Sequence, residues 1–110
     1  MAKLIKVILI DPITRTISEK EIKPDYREVV KLIGGQCTNI EGTIDPAFNR
    51  SESLYCNGEG WLQTPRGAFM LRASRQTIAD PAVLLNCTNA GNWTSAKSTI
   101  EEVKNAILWR

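Results

Sequence analysis

The side chains that most often carry out enzyme chemistry are sparse in this chain. It contains no histidine, which excludes His general bases, Ser-His and Cys-His dyads and His-ligated zinc. Walker, Gly-x-Gly-x-x-Gly and Gly-x-Ser-x-Gly motifs are also missing. The adjacent acids Glu101 and Glu102 fit the first turn of a helix, where the helix dipole favours them. We therefore expect a non-catalytic protein with no catalytic residues, no metal and no cofactor.

Three cysteines, Cys37, Cys56 and Cys87, are the remaining candidates for nucleophiles or metal ligands. Without a histidine, nothing in the sequence is suited to form a reactive thiolate. Their wide spacing does not fit a zinc site, and no Cys-x-x-Cys pair occurs. We expect buried, reduced thiols, as in an intracellular protein.

An uneven distribution of charge and aromatic residues marks the candidate binding residues. Residues 41–60 carry four acids and one arginine, whereas residues 61–79 carry three arginines and no acid. Arginine beside aromatic residues grips carboxylates or phosphates and stacks on bases. A tryptophan in a polar loop either folds back on the core or contacts a partner. We predict that the partner-binding residues are Trp61, Arg66, Arg72, Arg75 and Trp93.

Three uses of the basic stretch remain open from the residues alone. Its arginines could pair with the acidic neighbouring strand of a sheet, bind an acidic patch on a partner protein, or bind nucleic acid or a nucleotide. The net charge of +2 argues against a strongly acidic DNA mimic and against a strongly basic nucleic-acid coat.

The apolar pattern of the first third predicts two strands and a helix that must position these residues. Residues 3–10 form a buried strand, and residues 14–22 alternate as a half-exposed strand after a turn at 11–14. Ile22 is out of phase with that alternation, which suggests a β-bulge. Asp25 and Glu28 form a capping-box pattern at the start of a helix that Gly34-Gly35 ends. The apolar stripe of this helix is Tyr26, Val29, Val30 and Ile33.

The rest of the chain predicts short strands and a second helix. This helix begins near Thr99 with a capping box to Glu102, and Trp109 clamps its end. Its buried stripe consists of Ile100, Val103 and Ile107. With 110 residues and near-average composition, we predict one domain, 1–110. Its fold is α+β, an antiparallel sheet of five to seven short strands with two helices packed on it. The further strands are predicted at 36–44, 53–56, 61–63, 68–71 and 82–85, with a loop at 45–52 and turns at 57–60 and 64–67.

The beginning of the sequence carries no recognisable targeting signal. The apolar run Val7–Ile10 stops at Asp11-Pro12, so it is too short for a signal-peptide core or a membrane span. We expect a soluble, cytoplasmic protein with no membrane partner.

Two stretches of the chain resemble a known family. They are Val7-Ile8-Leu9-Ile10-Asp11-Pro12, followed by an alternating strand and Val29-Val30-Lys31-Leu32-Ile33-Gly34, and Leu54-Tyr55-Cys56-Asn57-Gly58-Glu59-Gly60-Trp61-Leu62. Together they resemble the small tailed-phage and mobile-element proteins catalogued as domain of unknown function 3846. After residue 80 the chain departs from that pattern, since Asn86-Cys87-Thr88-Asn89 stands where a glycine-rich apolar strand end is expected.

The resemblance implies a viral accessory protein and carries over no catalytic residues. Such small phage proteins act by binding host machinery. The implied function is therefore to bind and inhibit a host protein in the host-cell cytoplasm, such as a component of a bacterial defence system like CRISPR-Cas. The residues by themselves keep an alternative, a small nucleic-acid or nucleotide-binding protein that uses residues 61–75. A homodimer also remains open, because a small sheet has edges that can pair.

Overall fold

A six-stranded antiparallel sheet forms the centre of the structure. The computed structural model describes residues 3–35, 37–43, 52–59 and 66–110. The central sheet has the order β2-β1-β7-β4-β3, and β8 pairs with β7 beside β1. A second antiparallel sheet has the order β6-β5-β9. The elements of the described residues are β1 (Ile5–Asp11), β2 (Thr16–Ile22), α1 (Tyr26–Ile33), β3 (Ile40–Thr43), β4 (Glu52–Asn57), β5 (Ala68–Leu71), β6 (Thr77–Ala79), β7 (Ala82–Cys87), β8 (Trp93–Thr94), α2 (Ile100–Ala106) and β9 (Ile107–Trp109).

The central sheet is covered on both faces. Helix α1 lies on one face, where Val29 and Ile33 pack against Val7, Val83 and Leu85. The second sheet and α2 lie on the other face. The residues that fill this second core include Ile8, Ile10, Leu54, Phe69, Leu71, Leu84 and Val103. The α+β class predicted from the sequence is confirmed, with two helices and two antiparallel sheets among the described residues.

The continuous apolar sequence of β1 follows from this double cover. Successive side chains of a strand point to opposite faces of a sheet. Val7 therefore faces α1, whereas Ile8 and Ile10 face the second sheet, and all three are fully buried. Strand β7 has the same arrangement, with Val83 toward α1 and Leu84 toward the second sheet.

Strand β2 contains no bulge, contrary to the sequence-based prediction. Its seven residues pair one-to-one with β1, from Ile5 opposite Ile22 to Asp11 opposite Thr16. Ile17 packs against the core under the second sheet, and Ile22 is buried in the core under α1. The phase change that suggested a bulge arises because the two ends of this edge strand bury opposite faces.

Helix α1 begins and ends where the sequence predicts, but two of its residues differ from expectation. The Asp25 side chain accepts a hydrogen bond from the Arg27 backbone N–H, and Gly34 ends the helix with a φ of 68°. Glu28 lies 3.8 Å from the Lys31 ammonium, so this acid is used in an i,i+3 pair. Tyr26, predicted on the buried stripe, is 44% exposed. It lies in the first helical turn, where the helix extends past the edge of its core contacts.

The C-terminal helix is shorter than predicted. The Thr99–Glu102 capping box is present in both directions. The helix ends at Ala106, however, and Ile107 to Trp109 form a strand that pairs with β5. Ile107 is buried as expected, but as part of β9, because the open edge of β5 offers ladder hydrogen bonds.

Several other predictions differ from the structure or fall outside it. Of the strand predicted at 36–44, the described residues 37–39 are not in a strand and Ile40–Thr43 form β3, and strands β6 and β8 were not predicted. The strand predicted at 61–63 and most of the loop at 45–52 lie outside the described residues, as do parts of the turns at 57–60 and 64–67. The turn at 11–14 is confirmed as the β1–β2 connection, residues 12–15.

A buried carboxylate fixes the segment that leads into α2. Glu52, the first residue of β4, has no exposed surface. Its oxygens accept hydrogen bonds from the backbone N–H groups of Lys97 and Ser98, each at 2.9 Å, and from the Ser98 hydroxyl at 2.6 Å. A buried charge is tolerated where such donors satisfy it. Glu52 therefore holds the 97–98 segment against the central sheet.

Candidate binding surface

Trp93 is held at one end of the central sheet by an aromatic neighbour. It pairs with Cys87 across the short β7–β8 ladder. Its indole N–H donates a hydrogen bond of 3.2 Å to the Tyr55 hydroxyl, and the two ring centroids are 5.0 Å apart at an interplanar angle of 53°. The ring packs against the core under α1 but remains partly exposed. The indole is therefore rigid and still accessible.

A groove of about 620 Å³ opens beside the Trp93 ring. An adjoining cavity of about 370 Å³ shares Pro24 and Trp93 and is bordered by Lys3, Ile5, Thr94 and Ser95. The walls of the larger groove come from two separate parts of the chain, the start of α1 with the residues before it and the start of β8 with the residues before it. We call the larger one the Trp93 groove, lined by Pro24, Tyr26, Gly91, Asn92 and Trp93.

Tyr26 supplies the second aromatic wall of the groove. Its hydroxyl donates a hydrogen bond to the Thr38 carbonyl, which fixes the ring at the start of α1. Tyrosine and tryptophan offer large contact areas at a low cost in conformational entropy. The groove thus presents two immobilised aromatic rings and a proline, the composition typical of protein-binding surfaces.

Arg66 is engaged within the protein. Its guanidinium donates a 2.7 Å hydrogen bond to the Ile33 carbonyl and lies 3.6 Å from the buried Asp80 carboxylate. The Arg66 backbone N–H also donates to Asp80, at 2.8 Å. A Cβ on Gly35 would lie only 2.7 Å from the guanidinium carbon. Arg66 therefore closes the C-terminal end of α1, and its acidic partner among the described residues is Asp80.

Arg72 and Arg75 lie on the exposed loop between β5 and β6. Arg72 donates from Nε to the Ile107 carbonyl at 3.3 Å. Arg75 has a φ of 60° and makes a backbone bond to Leu71. This loop connects two strands of the second sheet, which covers the face of the central sheet opposite Trp93. The predicted set of binding residues is thus divided between two faces, and Trp61 lies outside the described residues.

The sequence did not predict the roles of three residues. Asp80 pairs with Arg66, and Pro24 and Tyr26 line the Trp93 groove. Asp80 stands before a proline in the sequence, and the structure shows its constrained backbone, with a positive φ of 65°. The sequence predicts Tyr26 on the buried stripe of α1 and assigns no binding role to Pro24. Tyr26 joins the groove because it lies in the first turn of α1, and Pro24 joins it because it lies just before the N-cap Asp25.

The cysteines are free thiols, and two of them are buried. Burial raises the pKa of Cys56 to about 11, reinforced by the nearby Glu41 charge. Burial also raises the pKa of Cys37, with the Asp80 carboxylate acting in the same direction. Both thiols are therefore protonated near neutral pH and are poor nucleophiles. Cys87 is intermediate in exposure.

The described residues contain no group of three or more Cys, Asp or Glu side chains placed to hold a metal ion. No helix among them has the length and apolar character needed to cross a membrane.

Comparison of the chain with protein-family models, with curated proteins and with solved structures finds no match.

Proposed function

We propose that this chain is a non-catalytic phage accessory protein that binds and inhibits a host protein, and that the Trp93 groove is its contact surface. The observation that carries the contact surface is the accessible Trp93 indole, immobilised by Tyr55 and facing Tyr26 and Pro24. Tryptophan and tyrosine dominate the energetic centres of protein interfaces. The phage origin and the inhibitory role come from the family resemblance described above.

Rigidity of the groove supports recognition of a protein rather than a passive surface patch. Trp93 and Tyr26 each use their polar atom in an internal hydrogen bond. Their rings therefore lose little freedom when a partner covers them, which favours affinity. The raised pKa values of Cys37 and Cys56 support a binding role over thiol catalysis.

The decisive experiment is affinity capture from bacterial lysate with two matched variants. Asn92→Glu places a charge in the groove, while the bonds that Asn92 makes to Thr88 are made by its backbone. Asn105→Glu makes the same change at an exposed position on α2, away from the groove. We expect a bacterial protein to be retained after nuclease treatment by the wild type and by Asn105→Glu, and lost with Asn92→Glu.

A quantitative arm uses the recovered partner. Tyr26→Ala should weaken its binding by about thirtyfold, the effect typical of an interface anchor. Tyr26→Phe should bind within a few-fold of wild type, because it keeps the ring. Capture that is unchanged by both Asn92→Glu and Tyr26→Ala would refute the groove as the contact surface.

The same capture separates the nucleic-acid alternative. Arg72 and Arg75 share one exposed loop, which is the feature that favours it. If they bind nucleic acid, nuclease should remove all captured material. Arg75→Glu should then weaken binding, and affinity should fall steeply with salt because counterions are released.

A further inference from the structure

A smaller cavity lies on the opposite side of the central sheet from the Trp93 groove. It has a volume of about 270 Å³ and opens between the start of β2, helix α2 and strand β9. Its lining residues are Arg15, Thr16, Ile17, Ile100, Lys104 and Trp109.

The apolar part of this cavity is held firmly. Ile17 and Trp109 pack against the core under the second sheet. The Trp109 ring meets Phe69 edge-on, with centroids 6.4 Å apart at 75°, and Phe69 is fully buried. The cavity therefore offers one immobilised indole and two isoleucine side chains to a ligand.

Two cations stand at the cavity, and neither has an acidic partner in the part of the chain that the structure describes. The ion pairs found among the described residues join Lys6 to Glu19, Lys31 to Glu28 and Arg66 to Asp80. Arg15 and Lys104 take part in none of them, and no acid belongs to the cavity lining. Their charges therefore create a positive potential beside an apolar wall.

We propose that this cavity binds a small aromatic carboxylate. The aromatic ring of the ligand lies against Trp109, Ile17 and Ile100, and its carboxylate faces the Arg15 guanidinium and the Lys104 ammonium. The volume is just below the range of about 300–1,000 Å³ typical of pockets for drug-sized molecules, which favours a ligand with a single ring. This site is separate from the Trp93 groove and does not depend on the proposed function.

The test is a titration of the ¹⁵N-labelled protein with phenylacetate, followed by two-dimensional NMR. The three tryptophans give three indole N–H signals, and a Trp109→Phe variant identifies that of Trp109. We expect phenylacetate to shift the Trp109 signal with an affinity on the order of millimolar, while the Trp93 signal stays in place. The uncharged analogue phenylacetamide should bind at least fivefold more weakly.

Two charge-removing variants and one control complete the test. Lys104→Gln and Arg15→Asn should each weaken phenylacetate binding by about fivefold, the effect expected of a partly exposed ion pair. Asparagine is chosen because Arg15 has a φ of 55°, which asparagine tolerates. Lys31→Gln, on the other face of the sheet, should bind like the wild type.

The proposal is refuted if the Trp109 signal does not respond to phenylacetate, or if phenylacetamide shifts it with equal affinity. Unchanged phenylacetate binding by both Lys104→Gln and Arg15→Asn would refute the role of the two cations and with it the choice of a carboxylate. Both substituted side chains are exposed, so the variants are expected to fold.

Discussion

Glu52 shows how one residue type takes its role from its surroundings. In the sequence it is one of four acids in residues 41–60; in the structure it is buried and accepts three hydrogen bonds from Lys97 and Ser98. Removing a buried acceptor leaves its donors unsatisfied, at about 1–3 kcal/mol. Glu52→Ala should therefore lower the free energy of unfolding by about 2–3 kcal/mol.

Urea denaturation of Glu52→Ala measures this loss. The matched control is Glu21→Ala on β2, where the side chain is exposed and the expected change is within about 0.5 kcal/mol. Equal stabilities of the two variants would show that the Glu52 hydrogen bonds contribute nothing net.

Because of Cys56, the free energy of unfolding should fall as the pH becomes alkaline. Burial raises the pKa of this thiol from 9.0 to about 11, so the folded state favours the protonated form. Its contribution to stability is complete below pH 9 and is lost as the pH rises through 11. We expect the unfolding free energy of the wild type to fall between pH 8.5 and pH 10.5, by up to about 2 kcal/mol from this group.

Cys56→Ala separates this effect from the titration of lysine and tyrosine. The variant should be less stable than the wild type at pH 8.5, because it leaves a cavity. Its stability should then decline less steeply with pH. Parallel curves for the two proteins would contradict the assignment.

At the scale of secondary-structure elements, the C-terminal segment closes the second sheet. Bonds from Arg110 N–H to the Ala68 carbonyl and from Arg72 N–H to the Ala106 carbonyl flank the pair Met70–Leu108. Hydrogen-bonded pairs alternate in an antiparallel ladder, so Leu108 donates its N–H to Met70.

Leu108→Pro should therefore destabilise the protein by about 2–3 kcal/mol, because proline removes this N–H from the ladder. Leu108→Ala is the matched control, since the leucine side chain is 40% exposed and its loss should cost less than about 1 kcal/mol. Thermal unfolding followed by circular dichroism compares the two. If the two variants melt together, the backbone pairing of β9 is not needed for stability.

At the scale of the whole molecule, the central sheet joins two cores. Adjacent residues of β7 serve both, Val83 toward α1 and Leu84 toward the second sheet. Because β1 and β7 contribute to each core, neither core can lose its packing without disturbing the shared strands. We expect one cooperative unfolding transition.

Two substitutions test this coupling. Val83→Ala and Leu84→Ala should lower the unfolding free energy by about 1–3 and 2–5 kcal/mol respectively. In each variant, tryptophan fluorescence and far-ultraviolet circular dichroism should give coincident transitions. Separate transitions would mean that the two faces unfold independently.

Features that depend on neighbouring residues follow from the amino-acid sequence alone. Asp25 begins α1 and Gly34 ends it. Thr99 and Glu102 cap the start of α2, and β1 ends at Asp11-Pro12. These boundaries are predictable because capping and turn chemistry act over a few residues. The alternation of apolar residues likewise predicted the antiparallel α+β class. The continuous apolar sequence of β1 is typical of a strand that is covered on both faces.

Contacts between residues that are distant in the sequence follow from the tertiary fold. The pairing of β9 with β5 ended α2 early, because ladder hydrogen bonds outweighed the weak preference of three residues for a helix. The two isoleucines of β2 serve different cores because each end of the strand is covered on a different face. Arg66 pairs with Asp80 and donates to the Ile33 carbonyl at the end of α1. Trp93 and Tyr26 are 67 positions apart, and they line one groove because the fold brings the start of α1 next to β8. Such contacts depend on which surfaces pack together, and no short-range pattern in the sequence encodes that choice.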